Sequence, residues 1–220
     1  LFTPAGYTFG IWALIYMGPL YYGIYMIYCS FSAKKSDEFI PKSAPWIILA
    51  HLANGAWLWF WLHKESAISV ILIFLILLFL LIAVIRLNME RWDADVDYMA
   101  GVWWPIDLYV GWITVAAIAN VAAHLNHINV DMGLTEISWT IIFILIAVAI
   151  NLFMVFTRNM REFAGVGIWA LIGISVRHWN EIPEISWTAI LGAVTLFIII
   201  AVHAYKNRAT LPHNKLKQKT

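Results

Sequence analysis

Cysteine is nearly absent and charge is sparse. Cys29 stands alone, so no disulfide can close within the chain and no Cys/His set with zinc spacing exists. A single thiol leaves the redox compartment unread. Only 12% of the residues are charged, too few to clothe a water-soluble globule. The net charge is +1 at pH 7, so no strongly basic surface points to nucleic acid. No nucleophile and base stand at a recognisable spacing, and nothing argues for an enzyme. No Lys precedes Lys206 in the last apolar run, which removes a retinal Schiff base from consideration. No cleavable signal peptide is visible.

What fills the chain is apolar. Hydrophobic residues make up 62% of it, with 13 Trp among them. Its apolar runs reach the ~20 residues that cross a bilayer as helix. They predict an all-α integral membrane protein, a bundle of about seven transmembrane helices. In order these are helix A over 8–29, B over 44–63, C over 67–87, D over 98–124, E over 136–157, F over 162–179 and G over 184–205. Pro19 predicts a kink in A, and Pro45 suits the first turn of B. Helix C is almost pure Ile, Leu, Val and Phe, so it reads as the most lipid-exposed span. The basic tail after Lys206 is expected to lack structure. The chain opens on Leu1 in a loop-like LFTPAGY, which suggests that something precedes it. Three parts follow: 1–126, the three helices of 127–205, and the tail 206–220.

Loop charges orient the bundle. The A/B, C/D and E/F loops and the tail carry twelve of the fourteen Lys and Arg; only Lys64 and Arg177 lie at the opposite end. The positive-inside rule then puts the tail in the cytoplasm and Leu1 outside. Two short phrases recur. GIWALI stands at Gly10–Ile15 and Gly167–Ile172, and EISWT at Glu136–Thr140 and Glu184–Thr188. The EISWT copies open helices that start outside; their Ser suits an N-cap and their Trp the interfacial belt.

Few residues in the spans can carry chemistry. Asp107 lies about nine residues into helix D, roughly 13 Å from its cytoplasmic end. It is either a proton or ion site or a hydrogen-bonded packing residue. His51, Asn54, Trp57 and Trp61 either wall a ligand site on helix B or serve interhelical packing. Trp112, Ala116 and Asn120 share one stripe of helix D, since each residue advances about 100°. His124 and His127 lack metal-binding partners and read as interfacial. Arg177, His178 and Glu181 read as the outer edge of helix F.

These residues, in this order, resemble the tryptophan-rich sensory protein family (TspO, the bacterial relatives of the mitochondrial translocator, or peripheral benzodiazepine receptor). The resemblance lies in Pro4, Tyr7, Phe9, Trp12, Tyr16 and Gly18, then Asn54 and Trp57, then Trp112, Ala116 and Asn120. It covers 1–126, four of that family's five helices, with the first expected ahead of Leu1. The chain departs from the pattern in three places. One residue is missing between Phe9 and Trp12, no Pro follows Trp57, and the Pro before Trp112 is displaced to Pro105. The phrase RNMREFAGVGIWALIGI over 158–174 is similar to longer bacterial members.

The resemblance implies a site for a flat apolar ligand, a tetrapyrrole such as protoporphyrin or a sterol-like molecule. Carried over residue by residue, the site is Phe9, Trp12, Tyr16, Asn54, Trp57, Trp112, Ala116 and Asn120. It falls in the outer half of the bilayer, with Asp107 in the inner half and outside it. The implied role is binding, sensing or transport in the bacterial inner membrane, with porphyrin breakdown a weaker implication. No cofactor is required beyond a bound tetrapyrrole or lipid. Expected partners are membrane lipid, the ligand, and a second copy or a larger membrane complex. A proton-coupled transporter using Asp107 is the rival reading, and an accessory subunit is a third.

The orientation has a direct check. A fluorescent-protein fusion at Lys219 should be bright, and alkaline phosphatase inserted within 129–135 should be active. A cytoplasmic 129–135 loop would overturn the assignment.

Overall fold

The computed structural model describes residues 1–32, 38–130, 133–208 and 211–219. Lys34 and Lys35, part of the charge that orients the A/B loop, lie outside the described residues. The described residues fold as helices joined by short turns, and the chain is an all-α integral membrane protein. A short 3-10 turn, Gly6–Gly10, leads into α1 (Ile11–Phe31). There follow α2 (Phe39–Leu62), α3 (Ser66–Arg86), a single turn α4 (Val96–Tyr98) and α5 (Trp104–His127). The chain ends with α6 (Glu136–Arg158), α7 (Arg161–His178), α8 (Pro183–Lys206) and α9 (Pro212–Lys219).

Helix α5 is the hub. It packs against α1, α3, α6 and α7. The most apolar window of Val96–His127 is 61% buried, against 22–33% for the other apolar spans. Helices α2 and α3 form one hairpin beside it, and α7 and α8 another, with α6 bridging α7 and α8. Among the described residues five helices are long and apolar enough to cross a membrane: α1, α3, α5, α6 and α8. Helix α2 is as long as these but diluted by Trp, Asn, His and Pro. Helix α7 has 18 residues and carries ionisable residues at both ends. Outward-facing Leu, Ile and Phe, such as Phe74, Leu78, Leu191 and Phe197, are exposed around the bundle. Such surface is stable against hydrocarbon, where every backbone group is already bonded within its helix.

Four local expectations need correction. Helix α2 starts at Phe39, ahead of Ala44, so Pro45 lies within it. The missing N–H of Pro45 leaves the Pro41 carbonyl without its helical donor. Helix α3 is not the most exposed span, for α1 buries least. Wedged between α2 and α5, α3 buries Ser69, Ile73, Ile76, Leu80 and Ala83 on one stripe. The EISWT serines are not N-caps. Thr135 caps α6 by accepting from the Ser138 N–H at 3.1 Å, and Ser186 donates to the Ser175 carbonyl at 3.0 Å. The tail is structured where α9 forms, and Lys215 pairs with Asp93 and the Ala94 carbonyl.

Helix D is also more complex than an unbroken span. Met99–Trp103 winds as π-helix ahead of α5. Pro105 supplies a cause, since it has no N–H for the Gly101 carbonyl four residues back. The opposite face of α5 meets α7 closely. A methyl group on Gly111 would lie 3.1 Å from Val166 Cβ and 3.2 Å from the Phe163 carbonyl oxygen. That contact lets two backbones approach, as small residues do between membrane helices.

Gly111→Val should therefore force α5 from α7 and cost about 1–3 kcal/mol of stability. Gly165→Ala, where nothing lies within 4 Å, should be neutral or slightly stabilising. Thermal unfolding of the two variants in one detergent checks both.

Candidate functional site

Aromatic residues from three helices converge near the end of the bundle where α5 finishes. The 3-10 turn contributes Phe9 and α1 contributes Trp12. Helix α2 supplies Trp57 and Trp61. Helix α5 supplies Trp112, Val115, Ala116, Ala119 and Asn120, and Thr3 and Pro4 lie across the top. The helical period explains the alignment, since Trp112, Ala116 and Asn120 are four residues apart on α5. Antiparallel α1 and α5 bring Trp12 and Trp112 to one depth.

The rings form one connected cluster. Trp12 stacks on Trp57 with centroids 6.3 Å apart and planes 26° apart. Trp112 stands edge-on to Trp12 at 6.3 Å and to Phe9 at 5.7 Å. Trp57 stacks in turn on Trp61 at 6.0 Å. The cavity between them measures about 100 Å³. That volume holds a few waters; pockets for drug-sized ligands run to ~300–1,000 Å³. A larger guest must part the rings or lift the segment above them.

Six of the eight site residues expected from the resemblance line this cavity: Phe9, Trp12, Trp57, Trp112, Ala116 and Asn120. Tyr16 stands behind it, stacked on Trp12 at 5.3 Å. Asn54 is buried on α2, and its amide oxygen has no hydrogen-bond partner. Asn120 accepts from Ser69 Oγ of α3 at 3.0 Å. The indole N–H groups of Trp57 and Trp112 are buried and unpartnered, so the polar groups on offer to a guest are mainly donors. His51 is elsewhere, stacked on Tyr109 at 5.0 Å. His124 shares a hydrogen bond with Ser66 Oγ at 2.9 Å.

The roof over the cavity is held by α7. Arg177 donates to the Thr3 and Pro4 carbonyls at 3.3 and 3.5 Å, and the His178 ring bonds the Leu1 carbonyl at 2.8 Å. Trp169 Nε1 donates to the Thr8 carbonyl at 3.0 Å, and Ala5 N donates to the Gly173 carbonyl at 3.0 Å. Gly173 permits this approach, since a Cβ there would lie 2.2 Å from Thr8 Oγ1. Arg177 and His178 thus do more than edge a helix. Their role was hidden because the sequence gives no sign that α7 returns to residues 1–8.

A second, larger cavity of about 410 Å³ opens beside the first, between α5 and α6. Asn126, Asn129, Glu136, Trp139 and Phe143 line it together with Leu1 and Phe2. It is roomier and has three rings of its own, Phe143 standing edge-on to Phe2 at 6.0 Å and stacked on Trp139 at 5.8 Å.

Asp107 belongs to neither cavity. It lies about 20 Å along α5 from Asn120 at 1.5 Å per residue. It is fully buried, beside Glu90 and Glu162. Glu90 sits in the α3–α4 connection, and burial together with the Glu162 charge pushes its carboxyl up to about 8.

A family model described as TSPO-like protein matches residues 1–202, which spans α1 to α8 rather than the first 126 residues alone. No curated protein and no solved structure matches.

The Ser69–Asn120 bond tests how the cavity floor is built. Ser69→Ala should leave the Asn120 oxygen unpaired and lower stability by about 1–3 kcal/mol. Ser69→Thr, which keeps the hydroxyl, should recover most of it in the same thermal-unfolding assay.

Proposed function

We propose, from the premise that this chain belongs to the TSPO-like protein family, that it binds a flat apolar ligand of tetrapyrrole type within the membrane. The observation that carries the reading is the Trp12–Trp57–Trp112 cluster around a cavity floored by Asn120. Indole faces stack on flat rings and exclude water from them, each aromatic contact adding ~0.5–1.5 kcal/mol beyond burial. The unpartnered N–H groups of Trp57 and Trp112 suit carboxylate or lactam oxygens at a ring edge. A sterol-like guest would use the same apolar walls without those donors.

The cavity is smaller than a tetrapyrrole, so binding includes an opening step. The Trp12–Trp57 stack separates, or the Thr3–Pro4 roof lifts. Sequestration or sensing needs no more than this; transport would need a second opening on the other side. The protein sits in the bacterial inner membrane in this reading, with the tail and α9 in the cytoplasm, by the bias of Lys and Arg. Lipid surrounds it, and a second copy or a larger complex could share its exposed faces.

Protoporphyrin should quench tryptophan fluorescence saturably in detergent-purified protein. Trp112→Leu should weaken binding by roughly three- to thirtyfold, equivalent to about 1–2 kcal/mol. Trp139→Leu probes the larger cavity and should change affinity little. A greater loss at Trp139 would move the site there. Linear quenching that neither variant alters would mean partitioning into detergent, and the accessory-subunit reading would take its place.

A further inference from the structure

We propose that Glu90, Asp107 and Glu162 form a binding site for a hard divalent cation at the basic end of the bundle. Each offers a carboxylate oxygen, and the three oxygens lie within 4.8 Å of one another. An ion with metal–oxygen bonds of 2.0–2.6 Å spreads its ligand atoms over at most about 4–5 Å. The spacing is therefore that of one coordination shell, open enough to accept an ion with a small inward movement.

Burial makes this more than a patch of surface acids. Asp107 is 0% exposed, and neither of its oxygens has a hydrogen-bond partner. One oxygen of Glu162 is likewise buried and unpartnered. A carboxylate removed from water with no donor loses most of its solvation, and Asp107 faces two more acids. The nearby arginines do not resolve this in the structure. Arg158 donates Nη2 to the Val84 carbonyl at 3.2 Å, and Arg161, whose charge also reaches the acids, keeps a buried Nε without a hydrogen-bond partner. The ion pairs Lys42–Glu38 and Lys215–Asp93 leave the triad out.

The ligands come from three separate pieces of chain. Glu90 stands in a left-handed conformation with φ 58°, and Asn159 Nδ2 donates to its carbonyl at 2.8 Å. Asn159 itself is left-handed where α6 gives way to α7. The turn that begins RNMREFA thus fixes the Glu90 loop and presents Glu162 in one step. Asp107 arrives from the first turn of α5, just past the π-helical stretch. The donors are all oxygen, with no His or Cys in the group, so the chemistry selects Mg²⁺, Mn²⁺ or Ca²⁺ over softer metals. Three side chains leave positions for water, and Glu90 and Glu162 are both only part-buried.

The site does not rest on the ligand reading of the aromatic cavity, and its assay is separate. Purified full-length chain in detergent is titrated with Mn²⁺ and followed by electron paramagnetic resonance. The expected result is one saturable Mn²⁺ per chain, displaced by Mg²⁺ or Ca²⁺. Asp107→Asn and Glu162→Gln should each weaken it roughly tenfold or more, while Glu65→Gln at the opposite end should not. Mn²⁺ should also raise the thermal midpoint of the parent and not of either triad variant. Glu162→Gln carries the test if Asp107→Asn fails to fold. Parent protein that binds no Mn²⁺ saturably, or a Glu162→Gln variant that binds it as the parent does, would overturn the proposal. The triad would then be held by shared protons or by the arginines.

Discussion

Close contact along α5 sets the geometry of the whole bundle. In hydrocarbon no water drives helices together, so packing itself must hold them. Gly111 gives α5 that contact with α7, where even one methyl group would crowd Val166 and Phe163. On its other sides α5 meets α1 and α3, through Trp112 against Phe9 and Trp12 and Asn120 against Ser69. The aromatic cavity and the acidic triad are both built on this helix, near opposite ends. Their distance from one another is set by its rise per residue.

The two ends differ in what they ask of the protein. At the aromatic end, stacked rings leave a space smaller than any large flat guest. At the acidic end, three carboxylates crowd together where water is scarce. The first calls for movement and the second for a counter-charge. The RNMREFA turn builds the acidic end, since Asn159 holds the Glu90 carbonyl and Glu162 supplies one of the three carboxylates. Helices α6 to α8 are thus structurally joined to the first five elements: α7 holds residues 1–8 and α6–α7 holds the α3–α4 loop.

Helix positions were legible in the sequence because hydropathy over about 20 residues is a strong signal, though α2 and α7 are not among the five candidate spans of the described residues. Periodicity on one helix put Trp112, Ala116 and Asn120 on a stripe, and it was the resemblance that grouped them with Phe9, Trp12 and Trp57, which line the same cavity. Asn54 and Tyr16 fell just outside it, because side-chain direction decides lining and the pattern shows only the face. The π-helical turn before α5 was not legible: Pro105 announces a disturbance without saying how it is absorbed. Nor were Glu90 and Glu162 as companions of Asp107. They are 17 and 55 residues away from it in the chain, and no local pattern marks acids that meet only through tertiary packing. The α9 turn was missed for the same reason, since its anchor is Asp93, more than a hundred residues earlier.

The roof bonds have a consequence for affinity. Residues 1–8 are tied to α7 by five hydrogen bonds to or from the backbone. A guest that must displace them meets a receptor that is competent only while they are broken. Its apparent dissociation constant is then the intrinsic one divided by the open fraction. If the proposed guest enters by that route, anything that loosens α7 from residues 1–8 raises occupancy without touching a ring. By the reciprocity of linked equilibria, such a guest would loosen α7 in return. Helix α7 begins at the far end, beside Glu162, so the bundle contains one rigid element that touches both the roof and the acids.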